Sequence, residues 1–260
     1  MGTVTSKLFF NNTQYTKEYS KLSTGEALYA SYRGSHKKVN QDSLAIFQIQ
    51  DSIILIIADG MGGTVNGERA SQMICQTMQE YLEKQNEAVI LDWMIIKALE
   101  EASQKIINFK HECGSTATCV LIKNNLARFY NIGDSGQFLY NSKKRLLFKG
   151  TEHSLLGHAM QAGLIKSREE QNIVEDSILL NGVGFENMKI EISKEYKLKR
   201  DYLIILCSDG FFQFFNEHEL NVDYLYGKFL TRGEKLLKLV KDETCEILDD
   251  CTYLVYRHKG

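Results

Sequence analysis

The stretch "IILIIADGMGG", residues 53–63, combines a strand with an unusual ending. Its apolar, largely β-branched residues predict a strand that lies inside a sheet. The strand runs directly into Asp59, and three glycines follow among the next four residues. Because glycine allows the backbone to approach another group closely, Gly60 suggests that the strand end faces a ligand, to which its carbonyl offers a neutral oxygen.

The same pattern recurs further along the chain. "YLIILCSDG" ends an apolar run at Asp209, and "FYNIGDSG" ends one at Asp134. Two more aspartates stand at the starts of apolar runs, Asp42 in "VNQDSLAIF" and Asp249 in "ILDDCTYLVY". If these strands are neighbours, their carboxylates converge at one end of a sheet.

A cluster of carboxylates has a specific chemistry. The groups raise one another's pKa, and a divalent cation removes that repulsion. A donor set made only of oxygen favours hard ions such as Mg²⁺ or Mn²⁺ over zinc or copper. Each aspartate taken singly is also explained by a turn, since Asp-Gly and Asp-Ser are ordinary turn formers. The five together predict a cation site.

The composition excludes several other classes of protein. The chain has 260 residues, 43% of them apolar, and a net charge of −2, which gives no field for nucleic acid. None of the six cysteines forms a C-x-x-C pair, so they indicate free thiols in a reducing, cytoplasmic setting. No apolar run approaches the ~20 residues of a transmembrane helix. A dinucleotide loop is disfavoured because Val65 occupies the third glycine position of G-x-G-x-x-G.

The order of predicted elements favours one layered domain. Residues 1–26 are polar and weakly patterned and are expected to form an irregular arm, followed by a single domain over 27–260. Helical periodicity predicts helices at 67–85, 89–110 and 223–242. A closing strand is predicted at 252–257. Several strands lie between these helices without regular β-α alternation. This order favours antiparallel sheets covered by helices over a doubly wound parallel sheet.

In their order, the motifs of this chain resemble those of the metal-dependent protein phosphatases of type 2C, the PPM family. The resemblance lies in "NQDS" (40–43), "ADGMGG" (58–63), "GERAS" (67–71), "GSTATCVLI" (114–122), "NIGDSG" (131–136), "TEHS" (151–154), "LCSDGFF" (206–212) and "DDCTYLVY" (249–256). These segments extend over almost the whole chain. The methionine of "DGMGG" resembles bacterial-type members, since animal members carry histidine there.

The resemblance implies a fold and an activity. The fold is an α+β arrangement, a central antiparallel β-sandwich flanked by pairs of helices, with a variable flap at about 157–185. The activity is the hydrolysis of phosphoserine and phosphothreonine on proteins by a hydroxide that bridges two Mn²⁺ or Mg²⁺ ions. The substrates would be phosphorylated proteins, made by a serine/threonine kinase, and we expect a monomeric signalling enzyme.

The resemblance also implies roles for the residues of the site. Asp59 would bridge both metal ions, and Gly60 would lend its carbonyl to one of them. Asp42 would act through the coordination shell of that same ion. Asp209 and Asp249 would hold the other ion.

Further positions carry additional roles or depart from the family pattern. Asp134 matches the ligand of a third, weaker ion. Lys37 stands where the family places an arginine that binds the substrate phosphate, and lysine binds phosphate as a point charge without the bidentate fork. Gly136 replaces another arginine. Asp250 stands where the family usually has asparagine, and it would be the ligand instead of Asp249 if the register slips by one.

Asp59 and Lys37 are therefore the catalytic candidates, whereas His153 and His158 are expected to be structural. The lost arginines leave a second hypothesis open, a catalytically weak binding or regulatory module with the phosphatase fold. A third hypothesis is another carboxylate–metal hydrolase that acts on small phosphate esters but not on phosphopeptides.

Overall fold

The computed structural model describes residues 3–10, 16–61, 66–85, 87–109, 113–165, 178–213 and 248–260. The strands are β1 Thr5–Phe9, β2 Thr16–Leu22, β3 Gly25–Tyr32, β4 Asp42–Ile49, β5 Ser52–Met61, β6 Gly114–Ser115, β7 Ala117–Lys123, β8 Leu126–Ile132, β9 Gly136–Tyr140, β10 Leu146–Lys149, β11 Glu191–Ile192, β12 Tyr196–Lys197, β13 Leu203–Cys207 and β14 Cys251–His258. The helices are α1 Gly67–Gln85, α2 Asp92–Asn108 and α3 Leu155–Gln161, and a 3₁₀ turn covers Asp209–Gln213.

The strands of the described residues form two antiparallel sheets. The first has the order β1-β4-β5-β7-β8-β11, with β12 also paired to β8 and β6 to β5. The second has the order β10-β9-β13-β14-β3-β2. All neighbouring strands run antiparallel. This arrangement confirms the expected antiparallel sheets.

The two sheets pack face to face around a shared core. Leu44 and Leu55 of the first sheet and Leu139 and Leu254 of the second belong to this cluster. A separate core lies between the other face of the first sheet and the helices α1 and α2. Because β5 is covered on both faces, its sequence is a continuous apolar run instead of an alternating one. The sandwich with helices on its outside is thereby confirmed.

The two long helices follow the predicted periodicity. The buried residues Ala70, Ile74, Met78 and Leu82 recur along one face of α1, which packs against β4 and β5. The second helix is shorter than predicted at both ends. The preceding Leu91 is extended, so the apolar pattern before it belongs to a buried connection and not to the helix.

The described residues of the N-terminal segment, 3–10 and 16–26, do not form the expected irregular arm. The strand β1 pairs with β4 at the edge of the first sheet, and β2 pairs with β3 at the edge of the second. Both strands have polar sequences because they lie at edges. Their main support is the backbone of a neighbouring strand, which local sequence patterns do not reveal.

Two predicted segments lie outside the described residues. They are the last helical pattern, 223–242, and most of the polar part of the expected flap, 166–177. Among the helices that are described, none has both the length and the apolar character needed to cross a bilayer.

Candidate active site

The first sheet delivers two of the predicted carboxylates side by side. The antiparallel register of β4 and β5 pairs Asp42 directly with Asp59. The backbone of residue 59 is held on both sides: its carbonyl accepts from Thr116 N and Ser115 Oγ at 2.8 Å each, and its N–H donates to Thr116 Oγ1 at 3.0 Å. These bonds fix the position from which the Asp59 carboxylate extends.

The second sheet delivers further carboxylates to the same region. Asp209 follows the end of β13, and Asp249 precedes the start of β14. Since β13 and β14 are antiparallel neighbours, the end of one and the start of the other lie at the same edge. Asp134 occupies the turn from β8 to β9, the strand on the other side of β13.

The charges of four carboxylates act on the fifth, Asp59, at this edge. Enclosure by protein, together with the charges of Asp42, Asp209, Asp249 and Asp134, raises the pKa of Asp59 well above its ordinary value. Burial and the charge of Asp249 raise the pKa of Asp209, and a hydrogen bond with Asp59 opposes that rise. The structure therefore brings together side chains that are far apart in the sequence.

Asp42 is the most deeply buried of the five, with 2% of its surface exposed. Burial and the charges of Asp250 and Asp209 raise its pKa to about 7. Ser208 opposes this effect by donating its hydroxyl to Asp42 Oδ2 at 2.8 Å. Ser208 was not among the residues predicted from the sequence, although a small hydroxyl residue directly before the strand-end aspartate is a recognisable signal.

Lys37 lies at the rim of the carboxylates. Its ammonium contacts Asp249 and lies 3.4 Å from Asp250 Oδ2, with 30% of the side chain exposed. Burial alone would lower the pKa of Lys37, but the hydrogen bond to Asp249 and the charge of Asp250 raise it above its ordinary value. The position therefore carries a permanent positive charge at the mouth of an acidic cluster.

The neighbours Asp249 and Asp250 have different surroundings. Both oxygens of Asp250 accept backbone hydrogen bonds, from Gly34 N and from Gln41 N at 2.8 Å each, and the residue is buried. Asp249 has 47% of its side chain exposed, and its charge acts on Asp59. The geometry thus favours Asp249 over Asp250 as the cation ligand of this pair.

Glycine at position 60 also has a packing reason, in addition to the expected approach of a ligand. A Cβ built on Gly60 would lie 2.0 Å from the carbonyl oxygen of Gly67, the first residue of α1. The strand end therefore needs glycine in order to pass the start of the helix, with or without a ligand. The role of the Gly60 carbonyl as a cation ligand stays a prediction.

The glycine at position 136 has a similar packing explanation. A Cβ there would lie 2.8 Å from Cys207 Sγ and 2.8 Å from Phe212 Cζ. The arginine expected by family resemblance would have no room at this place, because the core of the second sheet fills it.

His153 supports the turn that carries Asp134. Its backbone N–H donates to Gly133 O at 2.9 Å, and its Nδ1 accepts from Gly133 N at 3.2 Å. Its Nε2 therefore carries the proton and faces Glu191 Oε2 at 2.9 Å. These contacts favour the structural role expected for this histidine.

The donor set fits hard cations in its chemistry. Asp42 Oδ1 and Asp209 Oδ1 are buried without a hydrogen-bond partner in the described part of the chain. A divalent cation would satisfy such oxygens and offset the mutual repulsion of the carboxylates. Within the described ranges, however, no three acidic, histidine or cysteine side chains already form a closed ligand set. Asp249 is turned to Lys37, and Asp209 to Asp59, so binding would require these side chains to reorient.

Comparison with known proteins agrees with this geometry. The family described as Protein phosphatase 2C matches residues 32–246. The serine/threonine phosphatase Stp of Listeria monocytogenes is 27% identical over 207 residues, which cover 75% of this chain and 81% of that protein. A putative protein phosphatase of Mycoplasma genitalium is 25% identical over 232 residues, 81% of this chain and 84% of that protein.

Solved structures share the fold. The serine/threonine phosphatase Stp1 from Staphylococcus aureus superimposes with a TM-score of 0.76 at 20% identity, over 93% of this chain and 99% of that one. The catalytic domain of the phosphatase PstP, solved in complex with 2 manganese ions, gives a TM-score of 0.69 at 18% identity, over 95% and 100%. With the family match extending over most of its length, the chain belongs to the protein phosphatase 2C family.

Proposed function

We propose that this protein hydrolyses phosphate esters of serine and threonine on proteins and depends on divalent metal ions to do so. The observation that carries the proposal is the convergence of five aspartates from two sheets, four of whose charges act on Asp59. Membership of the protein phosphatase 2C family and the serine/threonine phosphatase activity named for the Listeria relatives support it.

The residues that would hold the metal ions follow from the same cluster. Two Mn²⁺ or Mg²⁺ ions would be held by Asp59, Asp209 and Asp249, with Asp42 behind them. A third, weaker site would include Asp134. The 2 manganese ions in the PstP structure support this choice of metal. Such ions, when bound, lower the pKa of a water molecule and offset negative charge on the phosphoryl oxygens.

The residues of the chain would contribute position and charge. Thr116 and Ser115 hold the backbone of Asp59, so that its carboxylate is presented from a rigid strand end. Ser208 orients Asp42 through a buried hydrogen bond. Lys37 would attract the substrate phosphate and retain its proton while doing so, because its pKa is raised.

Asparagine variants of the two central aspartates test the assignment. We expect Asp59→Asn and Asp209→Asn to lose Mn²⁺-dependent hydrolysis of a phosphothreonine peptide by at least about a hundredfold while remaining folded. Asp201→Asn is the matched control. It removes a carboxylate that binds Arg257 at the opposite end of β13 and should leave turnover unchanged. Unchanged turnover in either cluster variant would refute the site.

A second candidate function is a binding module with little turnover. It is favoured by the lysine at position 37, whose ammonium is paired with two carboxylates and lacks the fork of an arginine. Assays with p-nitrophenyl phosphate and a phosphopeptide, with Mn²⁺ and with EDTA, separate the possibilities. Absence of metal-dependent turnover on both substrates would favour the module, and activity on the small ester alone would indicate a different hydrolase.

In this proposal the protein is a monomer and lies in the cytoplasm. The five cysteines of the described residues are free thiols, which suits a reducing compartment. A serine/threonine kinase would supply the phosphorylated substrate, since the proposed hydrolysis removes a phosphoryl group that such a kinase transfers to the protein. A variable flap at about 157–185 belongs to the same proposal.

A further inference from the structure

The segment that carries Lys37 is a loop without regular secondary structure, residues 33–41 between β3 and β4. The hydrogen bonds within it include two between its own residues. Lys37 N donates to Gly34 O at 3.1 Å, and Arg33 Nη1 donates to Lys38 O at 3.0 Å. These bonds shape the loop, but they do not determine where the loop lies on the rest of the protein.

Asp250 attaches both ends of this loop to the segment at the start of β14, and the Gln41 end is also bound to α1, since Ser71 Oγ donates to Gln41 O at 2.6 Å. Its Oδ1 accepts from Gly34 N and its Oδ2 accepts from Gln41 N, each at 2.8 Å. The Asp250 side chain has no exposed surface. Gly34 also lies tightly against the chain next to Asp250, since a Cβ there would be 3.0 Å from the carbonyl carbon of Asp249.

The carboxylate suits this task better than an amide would. A carboxylate offers two acceptor oxygens, one for each backbone N–H, whereas asparagine offers one oxygen and an amino group that is only a donor. With asparagine at position 250, one of the two N–H groups would face another donor and lose its partner in a buried place. The second oxygen, Oδ2, also lies 3.4 Å from the ammonium of Lys37.

We propose that Asp250 is a positioning residue for Lys37, an inference that rests on the function proposed above. Its carboxylate holds both ends of the loop 34–41 and places the lysine ammonium at the rim of the acidic cluster. Asp250 acts through the loop and through its ion pair with Lys37, and it does not bind a metal ion itself.

The test compares Asp250→Asn with Asp249→Asn, the same change at the adjacent residue. In Asp250→Asn, amide hydrogen exchange at Gly34 and Gln41 should accelerate at least about tenfold, because a buried bond to a charged acceptor is lost. Affinity for Mn²⁺, measured by calorimetry, should stay within about threefold of the wild type. Asp249→Asn should show the opposite result, with weakened Mn²⁺ binding and unchanged exchange in the loop.

Kinetics distinguish positioning from general support of the fold. For a phosphothreonine peptide, Asp250→Asn should raise KM by about tenfold and change kcat by less than about threefold, since it displaces a group that binds the phosphate. Lys37→Met supplies the second arm of a double-mutant cycle. If Asp250 acts through Lys37, the rise in KM caused by Asp250→Asn should largely vanish in the Lys37→Met background.

Several results would overturn the proposal. They are additive effects in the cycle, unchanged exchange at Gly34 and Gln41, or loss of Mn²⁺ affinity equal to that of Asp249→Asn. If Asp250→Asn does not fold, Asp250→Glu keeps both acceptors but shifts them by one methylene group and should raise KM in the same way. A wild type without any phosphatase activity would refute the proposed function, whereas the exchange data would still decide whether Asp250 holds the loop.

Discussion

Stability of the cation-free protein should fall as the pH rises, because of Asp42. Its pKa rises from 3.8 to about 7 in the folded protein, mainly through burial and then through neighbouring carboxylates. Between these pH values the unfolded chain has released a proton that the folded protein still holds. The contribution is therefore fully present below pH 3.8 and is lost as the pH rises towards 7.

The size of this loss of stability follows from the part of the pH range between 3.8 and about 7 that lies above pH 5. Roughly two pH units at ~1.36 kcal/mol each give about 3 kcal/mol between pH 5 and pH 8. Asp59, Asp209 and Asp250, whose pKa values are also raised, act in the same direction. His258 acts in the opposite direction, because burial lowers its pKa and stability then rises as the unfolded histidine loses its proton.

Urea unfolding in EDTA, followed by circular dichroism at pH 5 and pH 8, measures this effect when wild type is compared with Asp42→Asn. The comparison cancels the histidine contribution, which both proteins share. The free energy of unfolding of the wild type should fall, relative to the variant, by about 3 kcal/mol over this range. Asp201→Asn controls for the loss of a charge.

Saturating Mn²⁺ should reverse the trend in the wild type, since cations bind ionised carboxylates of the folded state. A difference between wild type and Asp42→Asn that stays constant from pH 5 to pH 8, or that has the opposite sign, would refute the reasoning.

Two further predictions concern the glycines near the site. Gly60→Ala places a Cβ 2.0 Å from Gly67 O and should lower the free energy of unfolding by about 1–3 kcal/mol even in EDTA, measured by urea titration. An effect seen only with Mn²⁺ would instead indicate that this glycine serves the cation. Gly136→Arg, which restores the residue of the family pattern, should destabilise by at least as much because Cys207 and Phe212 fill its space. A melting temperature equal to that of the wild type would contradict this packing explanation.

Local patterns in the sequence were sufficient for most of the fold. The first helix was predicted with its observed bounds, Gly67–Gln85, because a 3.6-residue apolar period is a property of consecutive residues. The buried strand expected at 52–58 was recognisable from its apolar run for the same reason, and the observed strand continues to Met61. The strands β1 and β2 were missed, since an edge strand with a polar sequence depends on a partner that is distant in the chain.

The neighbours Asp249 and Asp250 show where reasoning from sequence ends. Both precede the same strand, and either fits the position of a cation ligand. In the structure, Asp250 is buried and accepts from the backbone N–H groups of Gly34 and Gln41. Asp249 is half-exposed, contacts the ammonium of Lys37, and its charge acts on Asp59. A shift of one residue is invisible in the pattern but decides the role of each carboxylate.

The sequence by itself determined which residue types stand at the ends of strands, and from them the class of chemistry and the family to expect. Only the tertiary structure decided that Asp42 faces Asp59 and that the ends of β13 and β14 meet them. The register of β4 with β5 and the pairing of β14 with β3, which lies far earlier in the chain, are not visible in any local pattern. The tertiary structure also decided why glycine is needed at positions 60 and 136. The atoms that exclude a side chain there come from distant segments, whose approach no local pattern encodes.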